Sequence, residues 1–133
     1  MIKLVEVEDE AEFLNRVRGG WAEYRKRGKV DEELVEFLDN FGADGCRYWL
    51  VGGEGFGVTE VQWDVSGDRI LVVRHLYAPR LGLIREFDRV VGAWAKASRC
   101  DGIGFYTRRE PHGFERLLGN GWELDSYVMR RDL

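Results

Sequence analysis

The chain has 133 residues, 44% of them apolar, and a formal charge of -4, which suits one folded domain over 1–133 whose core needs no disulfide or metal staple. The acidic balance gives no electrostatic reason for a nucleic-acid or anionic-membrane partner, and no window approaches the roughly 20 apolar residues that span a bilayer. Cys46 and Cys100 have no second cysteine or histidine at metal-ligand spacing, so no metal site is expected and a reducing, cytoplasmic setting is.

Residues Ile2 to Val7 alternate apolar and charged positions, which predicts a short half-buried strand. From Ala11 to Arg27, Leu14, Val17, Trp21 and Tyr24 recur at spacings of three and four, a helical stripe weakened at Gly19 and Gly20, with Gly28 as its stop. Asp31 is the expected N-cap of a second helix with the stripe Leu34, Val35, Leu38 and Phe41. Arg47 to Val51 reads as a strand, Gly52, Gly53, Gly55 and Gly57 as a bend, and Val58 to Val65 as a strand entering the Ser66-Gly67-Asp68 turn.

Arg69 to Ala78 is the strongest strand signal, apolar enough for burial on both faces near the middle of a sheet. Gly82 to Ser98 then carries Leu83, Ile84, Phe87, Val90, Val91, Trp94 and Ala95 on one helical stripe. Gly102 to Thr107 reads as a strand, Pro111 to Leu118 as a short helix, and Trp122 to Met129 as a final strand. This order predicts an α/β fold, a mixed central sheet flanked by helices.

The layout from Ile70 onward, with the stretch Leu71-Val72-Val73-Arg74-His75-Leu76-Tyr77-Ala78-Pro79-Arg80-Leu81-Gly82-Leu83-Ile84 and the closing Leu117-Leu118-Gly119-Asn120-Gly121-Trp122, resembles the GNAT superfamily, the general-control-related N-acetyltransferases. The resemblance implies an acyl-coenzyme A N-acyltransferase fold in which a turn between the fourth strand and a long helix grips the cofactor's pyrophosphate. It implies acetyl-CoA contacts at Leu76, Tyr77, Ala78, Arg80, Gly82, Leu83, Ile84 and Arg85. The chain departs from the family pattern twice. Leu83 and Arg85 stand where small residues belong, so a side chain meets the phosphate-binding turn, and Leu117 stands where the family often has a tyrosine acid.

Transfer to an amine needs a base for the ammonium, amides for the carbonyl and an acid for the thiolate. Tyr106 at a strand end and His112 at a helix start are the substitute acids, with Tyr127 behind them. Glu60 is the leading carboxylate for the amine, beside Asp64 on the same predicted strand face and Glu54. His75 faces either the substrate or the core, its backbone being suited to pairing with the pantetheine arm.

The expected activity is acetyl transfer to a primary amine on a small molecule or a protein. The alternative is a noncatalytic member of the fold, a degenerate and phage-type structural or protein-interaction component of a virion, which accounts for the altered turn and the missing tyrosine. Stacking of bases on Trp21, Trp49 and Trp63 is a third reading, disfavoured by charge and by the core periodicity of these residues.

Overall fold

The computed structural model describes residues 1–80, 82–106, 123–125 and 128–133, and the side chains of Tyr106, 123–125 and 128–130 are outside that description. Among these residues the α-helices and strands follow in order: β1 (Ile2–Leu4), α1 (Glu10–Gly28), α2 (Leu34–Asp39), β2 (Cys46–Val51), β3 (Gly55–Trp63), β4 (Arg69–Tyr77), α3 (Leu83–Ala97), β5 (Gly102–Tyr106), β6 (Glu123–Asp125) and β7 (Val128–Asp132). The strands form one sheet in the order β1-β2-β3-β4-β5-β7-β6. All pairs are antiparallel except β4 and β5, which run parallel because α3 crosses between them. The mixed sheet flanked by helices is therefore as expected.

Each face of the sheet carries its own apolar layer. On one side α3 places Phe87, Val91 and Ala95 against Trp49, Val51, Leu71, Val73, Ile103 and Phe105. On the other, α1 and α2 bring Phe13, Val17, Trp21, Tyr24 and Phe37 onto Leu50, Phe56 and Val58. Alternation along β2 explains the division, since Trp49 and Val51 point to one side and Leu50 to the other. Ile70 through Val73 are all buried, which is the two-sided burial expected for this strand.

Several boundaries differ from the sequence reading. β1 ends at Leu4, because Val7–Asp9 turn into a short 3-10 helix closed by reciprocal bonding between Glu6 and Asp9. α1 is capped one residue past Gly28, by Lys29 in a left-handed conformation. Glu33, not Asp31, is the N-cap of α2, and Phe37 fills the core while Val35 is 63% exposed. Six residues give this helix less than two turns, but Leu34, Leu38 and Phe41 of the expected stripe do pack against the α1 layer.

Gly55 and Gly57 belong to β3 itself, only 52–54 forming the turn. A Cβ on Gly57 would lie 2.8 Å from the Phe87 ring, so its bare backbone lets α3 approach the sheet. Arg16 secures the turn from outside, its guanidinium donating to the carbonyls of Gly52 at 2.7 Å and Gly55 at 3.2 Å. The C-terminal tail holds two strands, β6 and β7, where one was expected, and they pair from Glu123↔Arg130 to Asp125↔Val128. The expected helix at Pro111–Leu118 lies outside the described residues.

The α3-side layer contains one buried polar pair. The Trp49 indole N–H donates to Thr59 Oγ1 at 3.0 Å, with Thr59 0% exposed. Thr59→Val keeps the shape and strands the indole N–H, so a loss of about 1–3 kcal/mol is expected in urea denaturation. Thr59→Ser, which keeps the acceptor, is expected to lose less than Thr59→Val.

Candidate active site

The site originates in one extra residue in β4. Val58 pairs with His75 and Thr59 with Val73, which leaves Arg74 without a counterpart on β3. Such a bulge bends its strand and raises the local twist. Among the described residues the ladder to β5 ends at Val73↔Phe105, while β4 runs on to Tyr77. Arg74 and the β4 residues after it thus have no β5 partner among the described residues.

The extra residue also reverses the alternation of side chains. Leu71 and Val73 face α3, but His75 and Tyr77 face α1 and α2, while Leu76 and Ala78 pack on the α3 side. Gly20 makes room for Tyr77, since a Cβ there would sit 2.8 Å from its ring. The glycine pair that weakens the helical stripe thus serves as a seat for an aromatic ring.

His75 enters the aromatic layer, its ring centroid 5.5 Å from those of Trp21 and Phe37 and 5.6 Å from that of Tyr24. The Tyr24 hydroxyl and His75 Nδ1 are 2.6 Å apart, and His75 Nε2 lies 2.8 Å from Glu32 Oε2. Burial, with a smaller contribution from Arg74, pushes the His75 pKa from its ordinary 6.5 down to about 4. Burial likewise raises the Glu32 carboxyl above its usual value, against the pull of Arg74. At neutral pH the close approach of Glu32 to His75 is therefore a contact of a carboxylate with a neutral ring, not an ion pair. The tautomer that serves both nitrogens accepts the Tyr24 O–H at Nδ1 and turns Nε2–H toward Glu32.

Glu32 lies between α1 and α2 and is held by its backbone as well. The Trp21 indole N–H donates to the Glu32 carbonyl at 3.1 Å, and Arg25 donates to the carbonyls of Val30 and Asp31. The connection is thus fastened to α1 at Glu32 and at the two residues before it. A cavity of ≈ 430 Å³ opens here, lined by Asp31, Glu32, Glu36, Arg74 and His75.

The expected site residues fall in three places. Glu60 is engaged by Arg74, Nη1 donating to Oε2 at 2.6 Å, and does not line the cavity. Asp64 builds the β3–β4 turn, accepting from Ser66 and from the Asp68 amide. Tyr106 is, by its backbone, the last described residue of β5, whereas His112, Tyr127 and Leu117 lie outside the described residues. Of the expected cofactor contacts, Leu76, Ala78, Leu83 and Ile84 gather on the α3 side of β4, and Tyr77 reaches that side only through its backbone. Exposed Arg80, Gly82 and Arg85 surround the N-terminus of α3.

The sequence reading missed Glu32 and Tyr24. Tyr24 read as one more core aromatic, and Glu32 stood between two expected helices with no motif around it. His75, a histidine inside the strongest strand, was the one available signal. Trp21 and Trp49 are 3% and 2% exposed, which removes two of the three rings considered for base stacking, while Trp63 is 70% exposed. Among the described residues no group of acidic, histidine or cysteine side chains is arranged to hold a metal, and no helix is long and apolar enough to cross a membrane.

The fold recurs in solved structures. A NatC complex bound to Gag peptide and CoA aligns with a TM-score of 0.72 at 11% identity, over 100% of this chain and 98% of that one. A probable acetyltransferase gives 0.69 at 14% identity, over 95% and 92%. The fold is that of the GNAT acetyltransferases. A ribosomal-protein-alanine N-acetyltransferase from Brucella melitensis biovar Abortus 2308 has the same GNAT fold, with a TM-score of 0.64 at 17% identity over 96% and 97% of the two chains. No protein-family model and no curated protein sequence matches the chain.

Proposed function

We propose that the chain is an acetyl-CoA-dependent N-acetyltransferase acting on a primary amine. The observation that carries this reading is the bulge at Arg74, beyond which Arg74 to Tyr77 have no β5 partner among the described residues and lead toward the N-terminus of α3. An extended pantetheine arm suits such a strand edge, since unpaired amides and carbonyls accept a further hydrogen-bonding partner. The diphosphate would lie at the first turn of α3, where helix amides favour an anion.

The turn fits this group despite its altered sequence. Gly82 has φ +89°, a conformation that glycine adopts without strain, and a Cβ placed on it would meet nothing within 4 Å. Among the described residues, space is therefore open on that side of the turn. Arg80 and Arg85 are the phosphate-binding residues of the proposal, and Leu76, Ala78, Leu83 and Ile84 are the apolar wall. Acetyl-CoA, when bound, supplies the activated acyl group.

Acetyl-CoA binding by isothermal calorimetry tests the reading. Saturable binding is expected, weakened about tenfold, ~1.4 kcal/mol, by Arg80→Ala and by a similar factor by Arg85→Ala. Absence of binding at millimolar ligand, checked by equilibrium dialysis, overturns it.

One observation favours a second reading, a noncatalytic assembly component such as a virion protein. Trp63 and Val65 stand exposed around the β3–β4 turn, at 70% and 110%, and large apolar side chains so placed suit a partner surface. Under that reading acetyl-CoA does not bind and Trp63→Ser abolishes assembly.

A further inference from the structure

Residues 30–41, which include α2, are bounded at each end by left-handed backbone. Lys29 before them has φ 51° and Gly42 after them φ 87°, and a few residues at the ends of an element are enough to form a hinge. Within the segment Phe37 alone is buried, and the other side chains are half-buried or exposed. Phe37 enters the aromatic layer, its ring centroid 4.9 Å from that of Trp21 and 5.5 Å from that of His75. Elements with so little burial open at lower cost than the sheet beneath them.

Glu32 is where α1 and β4 both grip this segment. The Trp21 indole N–H donates to its carbonyl at 3.1 Å, and His75 Nε2 lies 2.8 Å from its Oε2. His75 is itself fixed at Nδ1 by the Tyr24 hydroxyl, and the charge of Arg74 acts on Glu32 from the same strand. Arg25 holds the carbonyls of Val30 and Asp31 close to Lys29 and pairs with Glu33 at 3.1 Å, with the Glu33 side chain 57% exposed. An exposed ion pair contributes little, whereas a hydrogen bond to a half-buried carboxylate is among the stronger ones.

We propose that residues 30–41 form a strap that swings as a unit about Lys29 and Gly42, with the contact of His75 with Glu32 as its latch. Asp31, Glu32 and Glu36 travel with the strap, while Arg74 and His75 stay on β4. The ≈ 430 Å³ cavity between them is therefore assembled when the latch closes and dismantled when it opens. A ligand that touches both walls binds the closed state and shifts the strap toward it. This device goes beyond acetyl transfer and holds for any occupant of the cavity.

Native-state hydrogen exchange at neutral pH reads the opening. The probes are the Trp21 indole N–H, which bonds to the strap from α1, and the Phe37 amide, which bonds to the Glu33 carbonyl inside it. The amides of Leu71 and Val73 in the sheet are the reference. In the parent the two probes are expected to share one protection factor, about tenfold or more below that of the reference. His75→Phe, which keeps a ring among the aromatics and removes both nitrogens, is expected to lower the protection of both probes about tenfold. Glu32→Ala is expected to do the same from the other side of the contact. The double variant then stays within about threefold of the single ones, because both remove one interaction. Thr59→Val, in the opposite apolar layer, is expected to lower the protection of Leu71 and Val73 and to leave the probes unchanged.

Probes protected as strongly as the sheet, and falling with it in Thr59→Val, would show that the segment opens only with the whole fold and overturn the strap. Unequal protection of the two probes, or none at either in the parent, also overturns it. Unchanged protection in Glu32→Ala, or losses that add in the double variant, overturns the latch.

Discussion

Phe56→Ala is expected to lower folding stability by about 3–5 kcal/mol, read as a fall in the urea midpoint at constant m-value. Phe56 is 0% exposed, and four aromatic rings surround it, from Phe13, Trp21, Tyr24 and Tyr77, at centroid distances of 5.4–6.2 Å. Truncation removes the apolar transfer energy and leaves a cavity that rings fixed on α1 and β4 close only in part. Phe56→Leu fills most of this volume and is expected to cost less than half as much. A loss below about 1 kcal/mol for Phe56→Ala would show that α1 settles onto the sheet without this side chain.

Acidification from pH 7 to pH 4 is expected to remove about 3 kcal/mol of stability through His75 alone. The ring is neutral in the folded chain down to about 4 but takes a proton near 6.5 when unfolded. Over that interval the unfolded state binds more protons, so stability is full above 6.5 and falls as the pH drops toward the folded value. Glu32 acts in the opposite direction above 4.5, because its carboxyl is raised in the fold, and it offsets part of the loss. Arg74, whose charge also disfavours the imidazolium, keeps its charge throughout. Urea denaturation at intervals from pH 7 to pH 4 gives the slope, and His75→Gln is expected to flatten it between 6.5 and 4. An unchanged slope in that variant would assign the acid sensitivity to other groups.

The two predictions depend on opposite features of the sequence. Phe56 packs against a helical stripe legible in advance, because Val17, Trp21 and Tyr24 recur at helical spacing, although Phe56 itself falls among the glycines read as a bend. The α3 stripe was equally clear, and Phe87, Val91 and Ala95 are fully buried as it requires. The strand β3 was read too short at its start because glycine ordinarily weakens a strand, and only the contacts of Gly57 with Phe87 and of Gly55 with β2 and β4 show why it is used there.

The candidate site was legible only in its backbone. The turn leading into α3 was placed correctly, since a strong strand, a proline and a long apolar stripe follow one another without ambiguity. The face of His75 could not be read from alternation, because an extra residue in β4 inverts it and nothing in the local composition marks Arg74 as that residue. Glu32 was hidden for a different reason. Its position comes from a tryptophan eleven residues earlier and a histidine forty-three residues later, and neither spacing has a local signature.

Both margins of the seven-stranded sheet are three residues long, Ile2–Leu4 on one side and Glu123–Asp125 on the other. Each therefore offers an incoming chain only a few backbone donors and acceptors, and charged Lys3 lies on one margin. Short charged edges are poor templates for intermolecular β-pairing. A protein with so much aromatic and β-branched sequence is in this way protected against growing into fibrils edge to edge.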